Sequence, residues 1–335
     1  MKLTKLRTFI VGNPQPGVGG RYFIFVKLTT DHNVHGVGEA YCLPFHPKVV
    51  TGMLEDVFER YFLEQDPHDI ESIWRRVYSA GYTQHPDLSL MAVLSALEMA
   101  CWDIIGKEAG QPVYKLLGGR VHERLRAYTY IYARPGDKTD VYQDPDLSAE
   151  RAAEYVAQGF TAIKFDPAGP YTAFDGRQLS LDALALCERF MRQLREAVGT
   201  RADLLFGTHG QMTAAGAILQ MNLGRVGGIL EAKKIAALAE VDHVQLAPHL
   251  YCGPVVGAAN IQLATCSPNF LILEGIERWQ GFHAQVLVKP IRWEAGYVIP
   301  PTEPGLGVEL NETVIGQHPY HGDRLHLEMA GKPVG

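Results

Sequence analysis

SAERAAEYVAQGFTAIKFD, residues 148–166, reads as an amphipathic helix that stops at Gly159 and passes directly into an apolar strand, TAIKFD. Gly159 stands where a helix C′ residue belongs, because glycine takes the left-handed backbone there without steric cost. The strand before this unit is LRAYTYIY (125–132). The helix after it opens at Ser180-Leu181-Asp182, with Leu186, Phe190 and Leu194 on one face and Gly199 past its end. The rhythm continues through ADLLFGTH (202–209), EAKKIAALAEV (231–241), VQLAPHL (244–250), GAANIQLATC (257–266) and FLILEG (270–275). Strands and helices alternating at this spacing mean parallel βαβ units. Nearly all-apolar strands beside amphipathic helices fit a sheet covered on one side and closed on the other, an α/β barrel.

Upstream the pattern differs. RYFIFVKLTT (21–30) and VHGVGEA (34–40) form a hairpin, with Asp31 and Asn33 in its turn. Residues 48–63 and 70–79 have helical spacing. SLMAVLSALEMACWDIIGK (89–107) is a strong helix with Leu94, Leu97, Cys101, Ile104 and Ile105 on one face and an N-cap around Asp87 and Ser89. The C-terminal IRWEAGYVIPPTEPGLGVEL (291–310) is rich in Pro and Gly and reads as an irregular tail returning over the structure. The expected organisation is an α+β domain over residues 1–120, a barrel over 121–296, and a tail over 297–335 that returns to the first domain.

Composition narrows the function classes. With 335 residues, 47% of them hydrophobic and 20% charged, the chain can bury a core without disulfides or structural metals. A formal net charge of −6 argues against a nucleic-acid partner, which needs a basic face. No apolar run reaches the ~20 residues that span a bilayer, and Met1-Lys2-Leu3-Thr4-Lys5 begins no signal peptide. Cys42, Cys101, Cys187, Cys252 and Cys266 are odd in number and widely spaced, so they read as reduced thiols of a cytoplasmic protein. The glycine-rich VGNPQPGVGG (11–20) precedes no helix N-terminus and is no phosphate loop.

Three segments together resemble the mandelate racemase and muconate lactonizing branch of the enolase superfamily. They are SALEMACWDIIGKEAGQPVYKLLGG (95–119), NLGRVGGILEAKKIAALAE (222–240) and PPTEPGLGVEL (300–310), spread over most of the chain. KFDPAGPYTAF (164–174) and LLFGTHGQMT (204–213) are most similar to the acid-sugar dehydratases of that branch. The resemblance implies a capping domain on a modified TIM barrel, with the active site at the barrel's C-terminal face. It also implies Mg²⁺, a small sugar-acid substrate and a symmetric homo-oligomer. The implied chemistry removes the proton α to a carboxylate and eliminates water to give a 2-keto-3-deoxy acid. A metal ion and a Lys or His base make such a weak acid reactive.

Candidate residues fall at strand ends. Lys164 and Asp166 are two apart, so both face the barrel interior. The family has a Lys-x-Lys pair here. Lys164 is read as serving the base or the substrate carboxylate, and Asp166 as replacing the usual base; an internal Lys–Asp ion pair is the bland alternative. His249 matches a family His usually held by Asp, and Asn222 stands at the Asp position. An Asn holds an imidazole by hydrogen bond but cannot stabilise imidazolium by charge. Glu274 matches a Glu that hydrogen-bonds the oxyanion; pairing with Arg225 or Arg278 is its structural alternative. His209 is a candidate acid and a weak metal ligand, two residues after Gly207, where the family places an Asp ligand. Arg21, Tyr22, His46 and Tyr82 are candidates for substrate binding from the capping domain.

One stretch is missing. The family carries two more βα units after the third strand, each ending in a Glu metal ligand, but here THGQMTAAGAI (208–218) runs straight into LQMNLGRVGG (219–228). About two units of ~30 residues are absent. The expectation is a segment missing near 218–219 rather than a true deletion, because a barrel cut there exposes strand edges. Two alternatives to the dehydratase stay open: a racemase, epimerase or cycloisomerase of a sugar acid or lactone, and a non-catalytic relative.

Overall fold

The computed structural model describes residues 1–41, 43–82, 87–167, 181–207 and 218–328. It begins with an antiparallel sheet of β1 (Leu3–Gly12), β2 (Tyr22–Thr30) and β3 (His35–Ala40), in that order. β2 and β3 are the expected hairpin. β1 is not among the predicted elements; Lys5 and Arg7 on its exposed face mask the alternation, as suits an edge strand with one wet side. Helices α1 (Pro47–Val57), α2 (Ile70–Tyr78), α3 (Leu88–Glu108) and α4 (Val113–Leu116) follow, with a π-helical turn at Phe58–Phe62. Asp87 caps α3, accepting from the N–H groups of Ser89 at 2.8 Å and Leu90 at 3.1 Å.

α3 departs from its expected single buried face. It is buried almost all round, and Ser95, Glu98 and Asp103 are buried with the apolar residues. It is also long and apolar enough to cross a membrane, contrary to the expectation that no such run exists, but here it is the core helix lying against β3. Glycine makes that contact close. A Cβ at Gly38 would stand 1.9 Å from the Ala96 carbonyl oxygen, and one at Gly36 2.1 Å from that of Ala100.

The second half alternates β4 (Leu125–Tyr130), α5 (Pro145–Ala157), β5 (Ala162–Phe165), α6 (Leu181–Val198), β6 (Asp203–Phe206), β7 (Ile218–Leu219), α7 (Ile229–Val241), β8 (Gln245–Leu246), α8 (Pro254–Thr265) and β9 (Leu273–Gly275). β9, β4, β5 and β6 pair in parallel in that order, β7 pairs in parallel with β8, and a parallel bridge joins Leu246 to Phe270. Among the described residues the wall is therefore continuous from β7 through β8 and β9 to β6, and β6 does not pair with β7. The expected interruption does not lie between Ile218 and Leu219, which are consecutive residues of one strand in register with Gln245 and Leu246. Among the described residues the opening is between β6 and β7. Helices α6 and α7, next to it in chain order, leave Leu181, Leu184, Met191, Leu238 and Val241 exposed, and Phe206 of β6 is exposed as well.

The chain closes with α9 (Phe282–Gln285), a hairpin of β10 (Trp293–Glu294) and β11 (Tyr297–Val298), and α10 (Glu312–Gln317). β11 adds to β4 in antiparallel sense. The tail then bridges back to the N-terminal unit, Gly305 to Pro112 just before α4 and Pro319 to Val11 of β1.

Three buried carboxylates fix the N-terminal unit to the barrel. Glu39 of β3 accepts from the N–H groups of Gly253, Val255 (3.1 Å) and Val256 (3.0 Å) at the start of α8. Glu98 of α3 accepts from Ile229 (2.7 Å) and Leu230 (2.8 Å) at the start of α7, and from the Trp102 indole. Asp103 accepts from Val37 (3.0 Å) and Leu306 (2.8 Å) and pairs with Lys107 at 2.9 Å. The first four N–H groups of a helix have no partner inside it, and the helix dipole favours an anion there.

Burial pushes Glu39 and Glu98 up to about 7, against the pull of the backbone N–H groups they hold. Both lie above the unfolded value of 4.5, so the native state holds more protons than the unfolded state between the two. Their protonation-linked stability is complete below the unfolded pKa and is lost as pH rises through about 7. Glu39→Gln, neutral at every pH, should make the fall in urea-unfolding free energy from mildly acidic to mildly basic pH shallower than in wild type, by on the order of a few kcal/mol. Parallel curves for the two proteins would refute this.

Candidate active site

Five of the six described strands of the parallel wall deliver a side chain at or just past the C-terminal end, and β6 is followed by Gly207. Tyr130 ends β4, Asp166 follows β5, Gln220 follows β7, His249 lies three residues beyond β8, and Glu274 is in β9. Tyr130, Asp166, His249 and Glu274 line one cavity of about 220 Å³ with Tyr41, Tyr132, Tyr142, Tyr251 and Leu327. Parallel strands place these groups at one end of the wall, as (β/α) barrels do.

Lys164 points into this interior and is buried. Its Nζ lies 3.3 Å from Glu274 Oε1 and 3.3 Å from Gln220 Oε1, and 5.0 Å from the centre of the Tyr130 ring. The ion pair is thus with Glu274 on β9, the strand on the other side of β4 from β5, whereas Asp166 accepts a 2.5 Å hydrogen bond from the Tyr130 hydroxyl. Glu274 is 1% exposed; it also accepts from the Leu250 N–H at 2.8 Å and from Gln220 Nε2 at 3.5 Å. Its ion-pair partner is Lys164 rather than the arginines considered from sequence. Burial and the neighbouring Glu274 push the Tyr128 phenol well above its usual range, so it is a neutral hydroxyl that accepts from Gln220 Nε2 at 2.7 Å.

His249 is one-quarter exposed. Asn222 Nδ2 is 2.8 Å from its Nδ1, and on the other side Nε2 is 4.0 Å from Glu274 Oε2. The Tyr41 ring packs 5.8 Å away, centre to centre, and the Arg225 guanidinium lies over that ring at 5.3 Å. The sequence pairing of His249 with Asn222 is present in the structure.

The capping-domain candidates lie elsewhere. His46 accepts from the Lys48 N–H at 3.2 Å and caps α1. Tyr22 is buried; its hydroxyl accepts from the His326 N–H at 3.1 Å and its ring contacts Tyr320. Arg21 donates to the Leu325 carbonyl at 2.7 Å and lines an outer groove that shares Tyr251 and Leu327 with the cavity. None of the three lines the cavity itself. The Tyr82 side chain and His209 lie outside the described residues.

Gly207 explains one departure from the expected metal set. A Cβ there would stand 1.9 Å from both Asp166 Oδ1 and the Tyr130 hydroxyl, so the Tyr130–Asp166 pair fills the space a side chain would need. Among the described residues no group of three or more His, Cys, Asp or Glu side chains is placed to hold a metal ion. Asp166 is engaged by Tyr130 and Glu274 by Lys164 and Leu250, so the described residues do not fit a Mg²⁺ site.

The sequence reading passed over the tyrosines. Tyr128, Tyr130 and Tyr132 alternate in LRAYTYIY, and period 2 puts all three on one face of β4 and its extension. That spacing was the available signal. Tyr132 is 4% exposed and lines the cavity, yet among the described residues its hydroxyl has no hydrogen-bond partner. An unpaired buried donor costs about 1–3 kcal/mol. Tyr132→Phe should therefore leave the urea midpoint unchanged or raise stability by up to about 1 kcal/mol. A clear loss would show that the hydroxyl has a partner.

Comparison with known proteins agrees with this architecture. Residues 15–118 match the N-terminal domain model of mandelate racemase/muconate lactonizing enzymes, and residues 211–314 match an enolase C-terminal domain-like model. The chain is 30% identical to the D-galactonate dehydratase of Cronobacter sakazakii, over 93% of each protein. It is 26% identical to the D-gluconate dehydratase of Thermoproteus tenax, over 93% of this chain and 72% of that one. The Cronobacter alignment runs over 370 positions, more than the 335 residues of this chain, so the relative carries residues that this chain lacks. Among solved structures, a mandelate racemase/muconate lactonizing enzyme from Sulfitobacter sp. superposes with a TM-score of 0.95 at 43% identity, covering 100% of both chains. A protein of the same kind from Labrenzia alexandrii DFL-11 gives 0.95 at 53% identity, covering 99% of both.

Proposed function

Since the chain belongs to the enolase superfamily, in its mandelate racemase/muconate lactonizing branch, we propose that it is an acid-sugar dehydratase, a hydro-lyase that turns an aldonic acid into a 2-keto-3-deoxy acid. The observation that carries the reading is the convergence of Lys164, Asp166, His249 and Glu274 at the C-terminal ends of the barrel strands. The dehydratases among its relatives support it.

In this proposal the substrate carboxylate lies toward Lys164, whose ammonium is held by Glu274 and Gln220. A cation preset in a buried site stabilises the negative charge that develops on that carboxylate. The Asp166 carboxylate takes the α proton. The electron pair moves into the carboxylate as an ene-diolate, then returns to expel the β hydroxyl. That hydroxyl takes a proton from His249 Nε2 and leaves as water. The resulting enol picks up a proton at C3 to give the keto acid. The tyrosine rings around the cavity suit the C–H faces of a small polyol chain and keep bulk water out. Superfamily members generally use Mg²⁺. We include Mg²⁺ dependence in the proposal, with ligands outside the described residues, His209 being a weak candidate, and no proton step above is assigned to it. A cytoplasmic homo-oligomer is part of the same reading.

A screen of aldonic and aldaric acids with Mg²⁺, read by keto-acid formation, should identify a substrate. Asp166→Asn and Lys164→Met should each lower kcat by about 100-fold or more. In D₂O, exchange of the α proton should disappear in Asp166→Asn. It should persist in His249→Gln, where elimination alone fails. Turnover of no acid sugar, or full activity in Asp166→Asn, would overturn the reading.

A further inference from the structure

We infer that Asn222 sets the tautomer of His249, placing its proton on Nε2, and so makes this histidine a proton donor rather than a base. The argument rests on the amide orientation. Asn222 Oδ1 accepts the Gly224 N–H at 2.8 Å, and Nδ2 lies 3.3 Å from the His249 carbonyl oxygen. Turning the amide over would set an NH₂ against the Gly224 N–H and an oxygen against a carbonyl, losing both contacts at once. The amide is therefore fixed with its NH₂ toward His249 Nδ1, at 2.8 Å. An N–H donor facing Nδ1 requires a lone pair there, so the neutral ring carries its hydrogen on Nε2.

The surroundings are consistent. Nε2 lies 4.0 Å from Glu274 Oε2, an acceptor. The peptide frame of His249 is held too: its N–H donates to the Met221 carbonyl at 2.9 Å, and its carbonyl accepts from Asn260 Nδ2 at 3.0 Å. A carboxylate at position 222 would do the opposite. It would accept from Nδ1–H, leave a lone pair at Nε2 and support imidazolium by charge. One atom, nitrogen for oxygen, thus decides whether His249 can give or take a proton in its resting state. Asn222 acts only through His249 and is a positioning residue.

This inference rests on the proposed dehydration only for what the proton is used for; the tautomer itself is a property of the resting protein. The test is ¹⁵N NMR of histidine-labelled protein above the usual histidine pKa, with the His249 signals identified by their loss in His249→Gln. The wild type should show a pyridine-type Nδ1 and a protonated Nε2. Asn222→Asp should reverse the two. A wild-type Nδ1–H, or a variant with the tautomer unchanged, overturns the inference, and the wild-type spectrum decides alone should the variant fail to fold. In turnover, Asn222→Asp should lower elimination at least tenfold while α-proton exchange in D₂O stays within about threefold of wild type. If no acid sugar is turned over at all, the dehydratase reading fails while the spectra still decide the tautomer. Equal loss of exchange and elimination would assign Asn222 a general structural role instead and overturn the inference.

Discussion

The structure hangs on three carboxylates with almost no access to water. Glu39, Glu98 and Asp103 belong to the N-terminal unit, yet each accepts from backbone N–H groups outside it, of the barrel for Glu39 and Glu98 and of the tail for Asp103. Burying an acid is expensive unless its oxygens are satisfied. Each carboxylate meets that demand by accepting two or more N–H groups that would themselves be unsatisfied, the first turns of α7 and α8 above all. The exchange works at one relative placement of the two units. Because α7 leads into β8, and α8 follows directly on the loop of His249, fixing these helix starts fixes the lip of the barrel where the cavity opens.

That constraint accounts for how the polar residues of α3 are used. Glu98 binds the start of α7, and the Ser95 hydroxyl accepts from the Gly227 N–H at 2.9 Å just ahead of it. The Gly227 carbonyl in turn accepts from the Trp74 indole N–H at 3.0 Å. The segment between Asn222 and α7 is therefore held along its length by the N-terminal unit. Asn222 sits at the start of that segment, with its amide locked by Gly224 two residues on. The domain contact and the setting of His249 are parts of one hydrogen-bonded path.

The sequence made the βα rhythm legible because helix and strand periods differ, 3.6 against 2, and because glycines at 159 and 199 mark helix ends; both adopt positive φ. It also placed Lys164, Asp166, His249 and Glu274 at strand ends and paired Asn222 with His249. Other features were hidden for physical reasons. Glu98 and Asp103 resemble the wet face of an amphipathic helix until the helix starts they hold are seen. VQLAPHL forms only a two-residue strand, since Pro248 has no N–H for a ladder. Tyr128, Tyr130 and Tyr132 read as core filling, because nothing in a strand pattern separates a packed ring from one that lines a cavity. The Lys164–Glu274 pair was not legible because it joins β5 to β9, strands that both border β4 in the sheet but lie far apart in the chain.

The opening between β6 and β7 bears on the chemistry. Among the described residues the outer edges of β6 and β7 have no strand partner, and Phe206 and apolar side chains of α6 and α7 are exposed. The relatives carry extra residues in their alignments with this chain. Two βα units inserted here would pair both edges, cover those side chains and add two strand ends to the rim of the cavity. The two groups proposed to move protons, Asp166 just after β5 and His249 beyond β8, lie on opposite flanks of the opening and are each supported by described residues: Asp166 by Tyr130, His249 by Asn222 and Asn260. The proposed proton transfers thus fall in the part of the barrel whose strands are paired. Two strand ends added at this opening would supply charge stabilisation beyond that offered by Lys164.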